Sequence, residues 1–232
     1  GYDNRGPTWL APVPVISVGN ITAGGTGKTP FAAMLFGRLQ AMGRRPAILI
    51  RGYRSRDGRD GDETRELAAA IGCDRIVQNP DRLAGAATAI ERFKADVLIL
   101  DDGFQHRRLG RLADIVLIDA THPFGHGHLL PRGLLREPIS SLGRADLVVI
   151  TRSDQVEAAE LEAIERTVAA VAPGVGVIRT RHRPTGWVDL AGRESPLSDD
   201  MPARAVCFAG IGNPPAFEAT VAGLGVEVVA TR

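Results

Sequence analysis

The chain has 232 residues, of which 44% are hydrophobic and 24% charged, and its formal net charge is +1 at pH 7. These values are typical of a globular protein with a full core. The net charge of +1 is far from the strongly basic charge typical of proteins that bind nucleic acid through their overall charge. The two cysteines lie far apart and form no metal-spaced pair, which favours a reducing cytosol, and no apolar run approaches the roughly 20 residues that span a bilayer.

Apolar runs suited to buried strands alternate with helical patterns along most of the chain. The predicted strands are Val13–Val18, Ala47–Ile50, Val97–Leu100, Ile115–Ile118, Leu147–Ile150 and Val175–Arg179. The predicted helices cover about 29–42, 63–71, 81–94 and 155–172. This alternation predicts an α/β protein with a doubly wound, mostly parallel sheet, whose site lies at the carboxyl ends of the strands.

The chain changes character after residue 183. Gly186–Arg193 is typical of a short hairpin with a turn at Ala191-Gly192. A second β-α-β unit then follows, with strands at Ala205–Ala209 and Val226–Ala230 and a helix from about Pro214 to Leu224. We therefore predict a main domain at 1–183, a hairpin linker at 184–203, and the start of a smaller α/β subdomain at 204–232.

The segment between the first predicted strand and helix has the composition of a loop that holds nucleotide phosphates. Glycines let backbone N–H groups turn toward phosphate oxygens at a helix N-terminus. Lys28 is predicted to reach the outer phosphates, and the Thr29 hydroxyl to bind Mg²⁺. The predicted nucleotide-binding residues are Thr22, Ala23, Gly24, Gly25, Thr26, Gly27, Lys28 and Thr29. The fold is therefore expected to be P-loop NTPase-like, although the loop alone identifies no reaction and Thr22 replaces the glycine of the strict pattern.

Three carboxylates are candidates for metal binding or acid–base chemistry. Asp101 and Asp102 end an apolar strand, where an Asp of a phosphate-loop protein contacts Mg²⁺; capping of the next turn is the alternative. Asp62 opens a predicted helix after a charged, glycine-rich loop. Spacing leaves its role open between a helix N-cap and a base that accepts the proton of a substrate hydroxyl.

Basic residues provide candidate phosphate contacts. Arg82, just inside a predicted helix, has the planar fork that clamps a phosphate. The segment 129–138 mixes leucines with Arg132 and Arg136, and an apolar rim beside cations suits a lipid phosphate or a membrane surface. A packed loop with ordinary surface arginines is the alternative interpretation.

The segment Thr151-Arg152-Ser153-Asp154 resembles the Thr-Lys-x-Asp signature with which GTPases read the base, with Arg in place of Lys. A strand end followed by a helix cap fits the same residues. A P-loop GTPase, or an ATP-dependent assembly protein or metallochaperone, is therefore the alternative function.

Taken together, these motifs resemble the tetraacyldisaccharide 4′-kinase family, the lipid A kinases of Gram-negative bacteria. The combination of DDGFQHR and LREP is more specific than the phosphate loop, which many families share, and Thr22 is also the form found in this family. The matching segments are Val15–Pro30 (VISVGNITAGGTGKTP), Arg51-Gly52-Tyr53, Gly61-Asp62-Glu63, Asp81-Arg82, Asp101–Arg107 and Leu129–Pro138 (LLPRGLLREP).

The resemblance implies ATP-dependent phosphorylation of the 4′-hydroxyl of a tetraacyl glucosamine disaccharide 1-phosphate, with ATP and Mg²⁺ as cofactors. It implies that Asp62 is the catalytic base, that Lys28 acts with it, and that Thr29, Asp101 and Asp102 serve the metal. The residues that it implies for the nucleotide and substrate site are Tyr53, Arg82, Gln105, Arg136 and Glu137.

The resemblance also implies a location and partners. We expect a peripheral protein at the cytoplasmic face of the inner membrane that binds the lipid A disaccharide precursor and no nucleic acid. Family members usually begin with a membrane-associated helix and continue to an Asp-His-His segment. The printed sequence has neither, so we expect further residues at both ends of the chain.

Overall fold

The computed structural model describes residues 9–52, 62–197, 201–210 and 213–231. Two short 3₁₀ helices, Gly125–Gly127 and Ile139–Arg144, lie between the fifth and sixth strands. The other elements, in chain order, are β1 (Val15–Gly19), α1 (Lys28–Ala41), β2 (Pro46–Ile50), α2 (Asp62–Ile71), β3 (Ile76–Gln78), α3 (Arg82–Phe93), β4 (Val97–Asp101), β5 (Ala113–Asp119), β6 (Leu147–Thr151), α4 (Ala158–Val171), β7 (Gly176–Arg179), β8 (Gly186–Val188), β9 (Glu194–Pro196), β10 (Arg204–Cys207), α5 (Pro214–Ala222) and β11 (Glu227–Thr231).

The main sheet has seven parallel strands in the order β3-β2-β4-β1-β5-β6-β7. The first crossover, through α1, carries the chain from β1 to β2 on one side, and β5 returns to the other side of β1. Val18 of β1 therefore pairs with Asp101 of β4, while Gly19 pairs with Val116 of β5. The loops after these strands leave the same edge at the switch point, where ligands of doubly wound sheets bind. The predicted fold class is confirmed.

Helices cover both faces of the sheet, which explains the uninterrupted apolar runs of its central strands. Every residue of β2 and of β4 is buried. Phe36 of α1 and Leu67 of α2 pack against one face, in a cluster with Ile48 and Ile99. The opposite face is covered by α3 and by α4, whose Ile164 packs in a cluster with Val148 and Ile150.

Most predicted helices and strands occur within a few residues of their expected bounds. The strand β3 was not predicted. This strand has three residues at the edge of the sheet, pairing only with β2. A run of three residues shows no periodicity that separates a strand from a loop. The helix expected from about residue 155 begins at Ala158, because Glu157 and Glu160 form a capping box at its N-terminus.

The C-terminal segment contains the predicted hairpin and the predicted second β-α-β unit. Strands β8 and β9 pair antiparallel, and the Asp189 carboxylate accepts from the backbone N–H groups of Ala191 and Arg193 in the turn. Strands β10 and β11 form a separate parallel sheet, with Cys207, Val221 and Val226 in its small core. The division into domains at 183 and 203 stays a prediction.

Across the described residues, the helices are too short or too polar for any of them to cross a membrane.

Candidate functional site

A cavity of about 620 Å³ lies at the carboxyl edge of the main sheet. The loop after β1 forms its floor, and the residues after β2, β4 and β6 form its sides. Helix α5 of the second β-α-β unit supplies a further wall. The lining residues are Gly24, Gly25, Thr26, Gly27, Lys28, Thr29, Pro30, Ile50, Arg51, Gly52, Asp101, Asp102, Arg136, Arg152, His182, Asn213, Ala216, Phe217 and Thr220.

The loop after β1 ends in a backbone conformation that glycine favours. Gly27 is the N-cap of α1 with φ of 83°, and Gly24 has φ of 119°. A Cβ atom on Gly27 would lie 3.3 Å from Cε1 of His182, so a side chain there would also crowd the cavity. Because the first N–H groups of a helix have no intrahelical partner, the start of α1 suits an anion.

Asp102 is the centre of an ion-pair network inside the cavity. Arg136 Nη1 donates to both carboxylate oxygens of Asp102, at 2.9 and 2.8 Å. Lys28 Nζ lies 3.5 Å from Asp102 Oδ1. Burial raises the pKa of Asp102, but the charges of Lys28 and Arg136 outweigh burial, and the net pKa lies below its ordinary value. The carboxylate is therefore ionised at neutral pH.

The predicted metal ligands converge on this cavity. Asp101, Asp102 and Thr29 all line it, and the Asp101 side chain accepts from the backbone N–H of Asp102 at 2.9 Å. Two carboxylates and a hydroxyl form an oxygen donor set of the kind that Mg²⁺ prefers. Within the described ranges, His, Cys, Asp and Glu side chains form no group of three or more that could hold a metal ion.

The segment 129–136 is bonded directly to the loop after β1. Ala23 N donates to the carbonyl of Leu134 at 2.6 Å, and Arg136 N donates to the carbonyl of Ile21 at 2.7 Å. A Cβ atom on Gly133 would lie 2.3 Å from the carbonyl oxygen of His128, so only glycine fits there. These bonds fix Arg136 in the cavity wall.

The same segment exposes apolar side chains beside the cavity. Leu129, Leu130 and Leu134 are 48%, 52% and 37% exposed. Arg132, between them in sequence, is also exposed. Leucines usually lie inside a protein, and an exposed apolar cluster rimmed by a cation indicates an interaction surface.

Three of the predicted substrate-site residues do not line the cavity. Arg82 is buried beside it and donates to the backbone carbonyls of Asn79 at 3.0 Å and Asp101 at 3.4 Å. Gln105 Nε2 donates to Glu137 Oε1 at 3.1 Å and to the carbonyl of Asn20 at 2.8 Å, and Arg144 pairs with Glu137 at 2.8 Å. These bonds join loops that surround the site, and the substrate roles of Arg82, Gln105 and Glu137 stay predictions.

The two remaining predicted residues follow the cavity wall formed by Arg51 and Gly52. Tyr53 lies outside the described residues. Asp62 is the first residue of α2, but its side chain also lies outside the described part. Gly52 has φ of 59°, and a Cβ atom there would lie 2.1 Å from Cγ of Gln78, so this position favours glycine. Asp62 as the base stays a prediction.

The sequence gives little indication of several other cavity residues. His182, Asn213, Ala216, Phe217 and Thr220 follow no recognised motif, and they reach the cavity only because β7 and α5 fold against it. Burial lowers the pKa of His182 from its ordinary value, and the nearby Arg152 lowers it further. Arg152, in contrast, lies in a segment that the sequence alone singles out, 151–154. That segment resembles a base-recognition signature, which does not indicate a place in the cavity wall.

His106, in the loop after β4, makes stability depend on pH. Burial lowers the pKa of His106 from its ordinary 6.5 to about 4, with Arg82, Arg111 and Arg108 lowering it further and Asp81 opposing them. The unfolded chain therefore binds a proton at higher pH than the folded protein does. The contribution of neutral His106 is complete above about pH 6.5 and is lost as the pH falls toward 4.

We expect His106→Gln to flatten the pH dependence of the free energy of unfolding between about pH 6.5 and 4. Urea unfolding at a series of pH values measures this slope. His126→Gln, at an exposed histidine, is the matched control and should keep the slope of the parent protein. Equal slopes for His106→Gln and the parent would contradict the assignment of this pH dependence to the lowered pKa of His106.

Comparison with known proteins connects this chain with one family. The model of the LpxK family, described as tetraacyldisaccharide-1-P 4′-kinase, matches residues 3–232. The tetraacyldisaccharide 4′-kinase of Anaeromyxobacter sp. (strain Fw109-5) is 45% identical over 243 residues, which cover 96% of this chain and 64% of that protein. The enzyme of the same name from Geobacter metallireducens is 42% identical over 236 residues, covering 94% and 67%. The chain thus spans about 64% of the length of the first of these relatives.

Solved structures give the same result at the level of the fold. The crystal structure of LpxK from Aquifex aeolicus in complex with ATP has a TM-score of 0.72 and 28% identity, covering 97% of this chain and 72% of that one. Hydrogenase maturation factor HypB from Archaeoglobus fulgidus has a TM-score of 0.51 at 14% identity, which shows a shared fold alone.

Proposed function

The chain belongs to the tetraacyldisaccharide-1-phosphate 4′-kinase family, and we propose that it transfers the γ-phosphate of ATP to the 4′-hydroxyl of a tetraacylated glucosamine disaccharide 1-phosphate, in lipid A biosynthesis. The observation that carries this proposal is the direct bonding of the phosphate loop to a loop with exposed leucines, through Ala23 N and the carbonyl of Leu134. An amphiphilic acceptor needs an anion-binding loop and an apolar surface side by side.

The cavity suits the triphosphate of ATP in shape and charge. Gly24 and Gly27 leave the loop free of side-chain bulk, and the start of α1 offers N–H groups and a favourable dipole. Lys28 lies at the first position of α1, in the cavity lining, where its ammonium binds the outer phosphates. The solved LpxK relative from Aquifex aeolicus was crystallised with ATP, which supports the same nucleotide here.

The oxygen donors of Thr29, Asp101 and Asp102 fit Mg²⁺, and we assign the metal to them. When bound there, the ion would neutralise the charge that develops on the transferred phosphoryl group. Asp101 is held by the backbone N–H of Asp102, so its carboxylate is oriented before any ligand binds. Arg136, already fixed in the wall by its backbone bond to Ile21, adds a second cation beside Lys28.

We assign the proton transfer to Asp62. Its carboxylate accepts the proton of the 4′-hydroxyl as the oxygen attacks the γ-phosphorus and the bond to the ADP oxygen breaks. Because phosphoryl transfer passes through a loose transition state, most of the rate enhancement comes from positioning and charge neutralisation by Lys28 and Arg136. Tyr53, Arg82, Gln105 and Glu137 complete the proposed nucleotide and substrate site.

We propose further that the segment 129–134 docks on the cytoplasmic face of the inner membrane, where the acyl chains of the acceptor reside. Three exposed leucines provide apolar area, and the exposed Arg132 faces anionic headgroups. Docking there brings the lipid headgroup beside Arg136 without a membrane-spanning element in this segment.

The double substitution Leu129→Ser and Leu130→Ser should weaken binding to anionic phospholipid vesicles by about tenfold, because two half-exposed leucines lose their apolar contact. Cosedimentation with vesicles measures the partition. Leu112→Ser is the matched control. Leu112 is 72% exposed but lies just before β5, at the amino ends of the strands and away from the cavity. An unchanged partition of the double variant would contradict membrane docking by this segment.

Nucleotide preference separates the kinase from the alternative GTPase or assembly protein, which the family match does not favour. The kinase turns over ATP in preference to GTP and accelerates when the lipid disaccharide 1-phosphate is added. Turnover that prefers GTP and is not accelerated by the lipid disaccharide 1-phosphate would overturn the proposed function.

A further inference from the structure

The last residue of β6, Thr151, and the residue after it, Arg152, hold two successive carbonyl groups of the phosphate loop. Arg152 Nη1 donates to the carbonyl of Gly25 at 3.0 Å. Thr151 Oγ1 donates to the carbonyl of Thr26 at 3.1 Å. The partners are separated by 127 and 125 residues in sequence, so the contacts depend on the folded sheet. The phosphate loop is therefore oriented by the strand two places away from its own.

The guanidinium of Arg152 is itself held by buried partners. Arg152 Nη1 forms an ion pair with Asp119 Oδ2, and the same oxygen accepts from Asn213 Nδ2 at 3.2 Å. The other oxygen of Asp119 accepts from Thr121 N at 3.0 Å. Arg152 and Asp119 are both buried, so each charge depends on the other.

The backbone of Arg152 is in the left-handed region, with φ of 54°. A non-glycine residue adopts this conformation at a cost and keeps it only where its surroundings require it. Here the turn after β6 places the guanidinium beside the carbonyl of Gly25. Strain of this kind is concentrated at functional sites.

Holding these carbonyls fixes the orientation of the loop, because each peptide unit is planar. The carbonyl of Gly25 shares its plane with the N–H of Thr26, and the carbonyl of Thr26 shares its plane with the N–H of Gly27. A peptide that flips would present a partially negative oxygen where the loop needs a donor for phosphate. Donors from Thr151 and Arg152 stabilise one orientation before a ligand arrives.

We infer that Arg152, assisted by Thr151, is a positioning residue that preorganises the phosphate loop for the triphosphate, and that Arg152 does not read the base. Its Nη1 is engaged by Gly25 and Asp119, within a buried side chain. Asp119 and Asn213 connect this group to the N-terminus of α5, so the second β-α-β unit supports the same loop. The inference rests on the proposed use of ATP.

Binding of three probes tests this role: ATP, inorganic triphosphate and adenosine, each titrated calorimetrically into the complete protein. Arg152→Lys keeps the charge but loses the planar fork. It should weaken the binding of ATP and of triphosphate by the same factor, about 10- to 100-fold, because a charged hydrogen bond is lost. Adenosine binding should change by less than about twofold.

Thr151→Val is the second variant, because it removes one hydroxyl donor and nearly preserves side-chain volume. It should weaken ATP and triphosphate by about three- to tenfold, again without an effect on adenosine. If Arg152→Lys does not fold, this variant still tests whether the carbonyl contacts position the phosphate loop. Arg166→Met, at a side chain 69% exposed, is the control and should bind all three probes as the parent does.

Two results would overturn the inference. Unchanged triphosphate affinity in the folded variants would show that the carbonyl contacts do not position the loop. Equal losses for adenosine and ATP, or a shift in preference toward GTP, would assign Arg152 to base recognition or to general packing. Failure of the parent protein to bind ATP would instead contradict the proposed function, so the two failures are distinguishable.

Discussion

Replacing Lys28 by methionine is expected to lower kcat/KM for phosphate transfer by about 10³-fold or more, because the cation at the end of the phosphate loop no longer stabilises the charge on the transferred phosphate. The ammonium of Lys28 lies in the cavity lining, 3.5 Å from Asp102. Methionine preserves the length of the side chain and removes only its charge. Steady-state transfer to the lipid acceptor measures the loss.

The fold should survive this substitution. Arg136 still pairs with both oxygens of Asp102, so no carboxylate is left unpaired. Lys94→Met, at an exposed lysine that caps the C-terminus of α3, is the matched control and should transfer phosphate at the parent rate. Transfer by Lys28→Met within a few fold of the parent would contradict the assigned phosphate site.

Asp62→Asn is expected to lower kcat by about 10²- to 10⁴-fold while leaving ATP affinity within about twofold, because a general base acts on the hydroxyl in the transition state and not on the nucleotide. Asparagine has nearly the same shape as aspartate, so α2, which begins at residue 62, should persist. The two candidate roles of Asp62 therefore give different results.

A rapid-quench measurement of a single turnover, with ATP affinity measured separately, shows which step is affected. Asp74→Asn, at a carboxylate 83% exposed, is the matched control. Undiminished transfer by Asp62→Asn would exclude this residue as the base and leave it as the first residue of a helix.

Much of the fold follows from local patterns. The continuous apolar runs of β2 and β4 predict strands covered on both faces, and the clusters around Ile48 and Leu98 confirm this. The short edge strand β3 was missed, because three residues carry no period. The hairpin of β8 and β9 was predictable, because its turn residues, including Gly192, are local signals.

Only those residues of the candidate site that lie in a local sequence motif were predictable. The glycine pattern around Lys28 and the paired Asp101 and Asp102 predict a common edge of the sheet, and these residues do meet there. Motif spacing does not distinguish a ligand contact from a bond between loops. Gln105 and Glu137 illustrate this, because they bond to each other outside the cavity lining, and their substrate roles stay predictions.

The role of Arg152 depends on contacts that no local pattern encodes. Its carbonyl partner, Gly25, is 127 residues away, and its counter-ion, Asp119, is 33 residues away. The same segment resembles a base-reading signature as well as a strand end with a helix cap, and the buried ion pair argues against the base-reading role. Only the pairing of β5 with β6 brings Asp119 beside Arg152.

The most direct test of the kinase function is the transfer of labelled γ-phosphate from ATP to the lipid acceptor by the complete protein. We predict that the label appears on the 4′-oxygen of the tetraacyl disaccharide 1-phosphate, identified by phosphorus–proton coupling in NMR spectra of the product, and that a 4′-deoxy analogue receives none. A protein that binds ATP but leaves the disaccharide unlabelled, or labels it at another oxygen, would contradict the kinase function proposed for this chain.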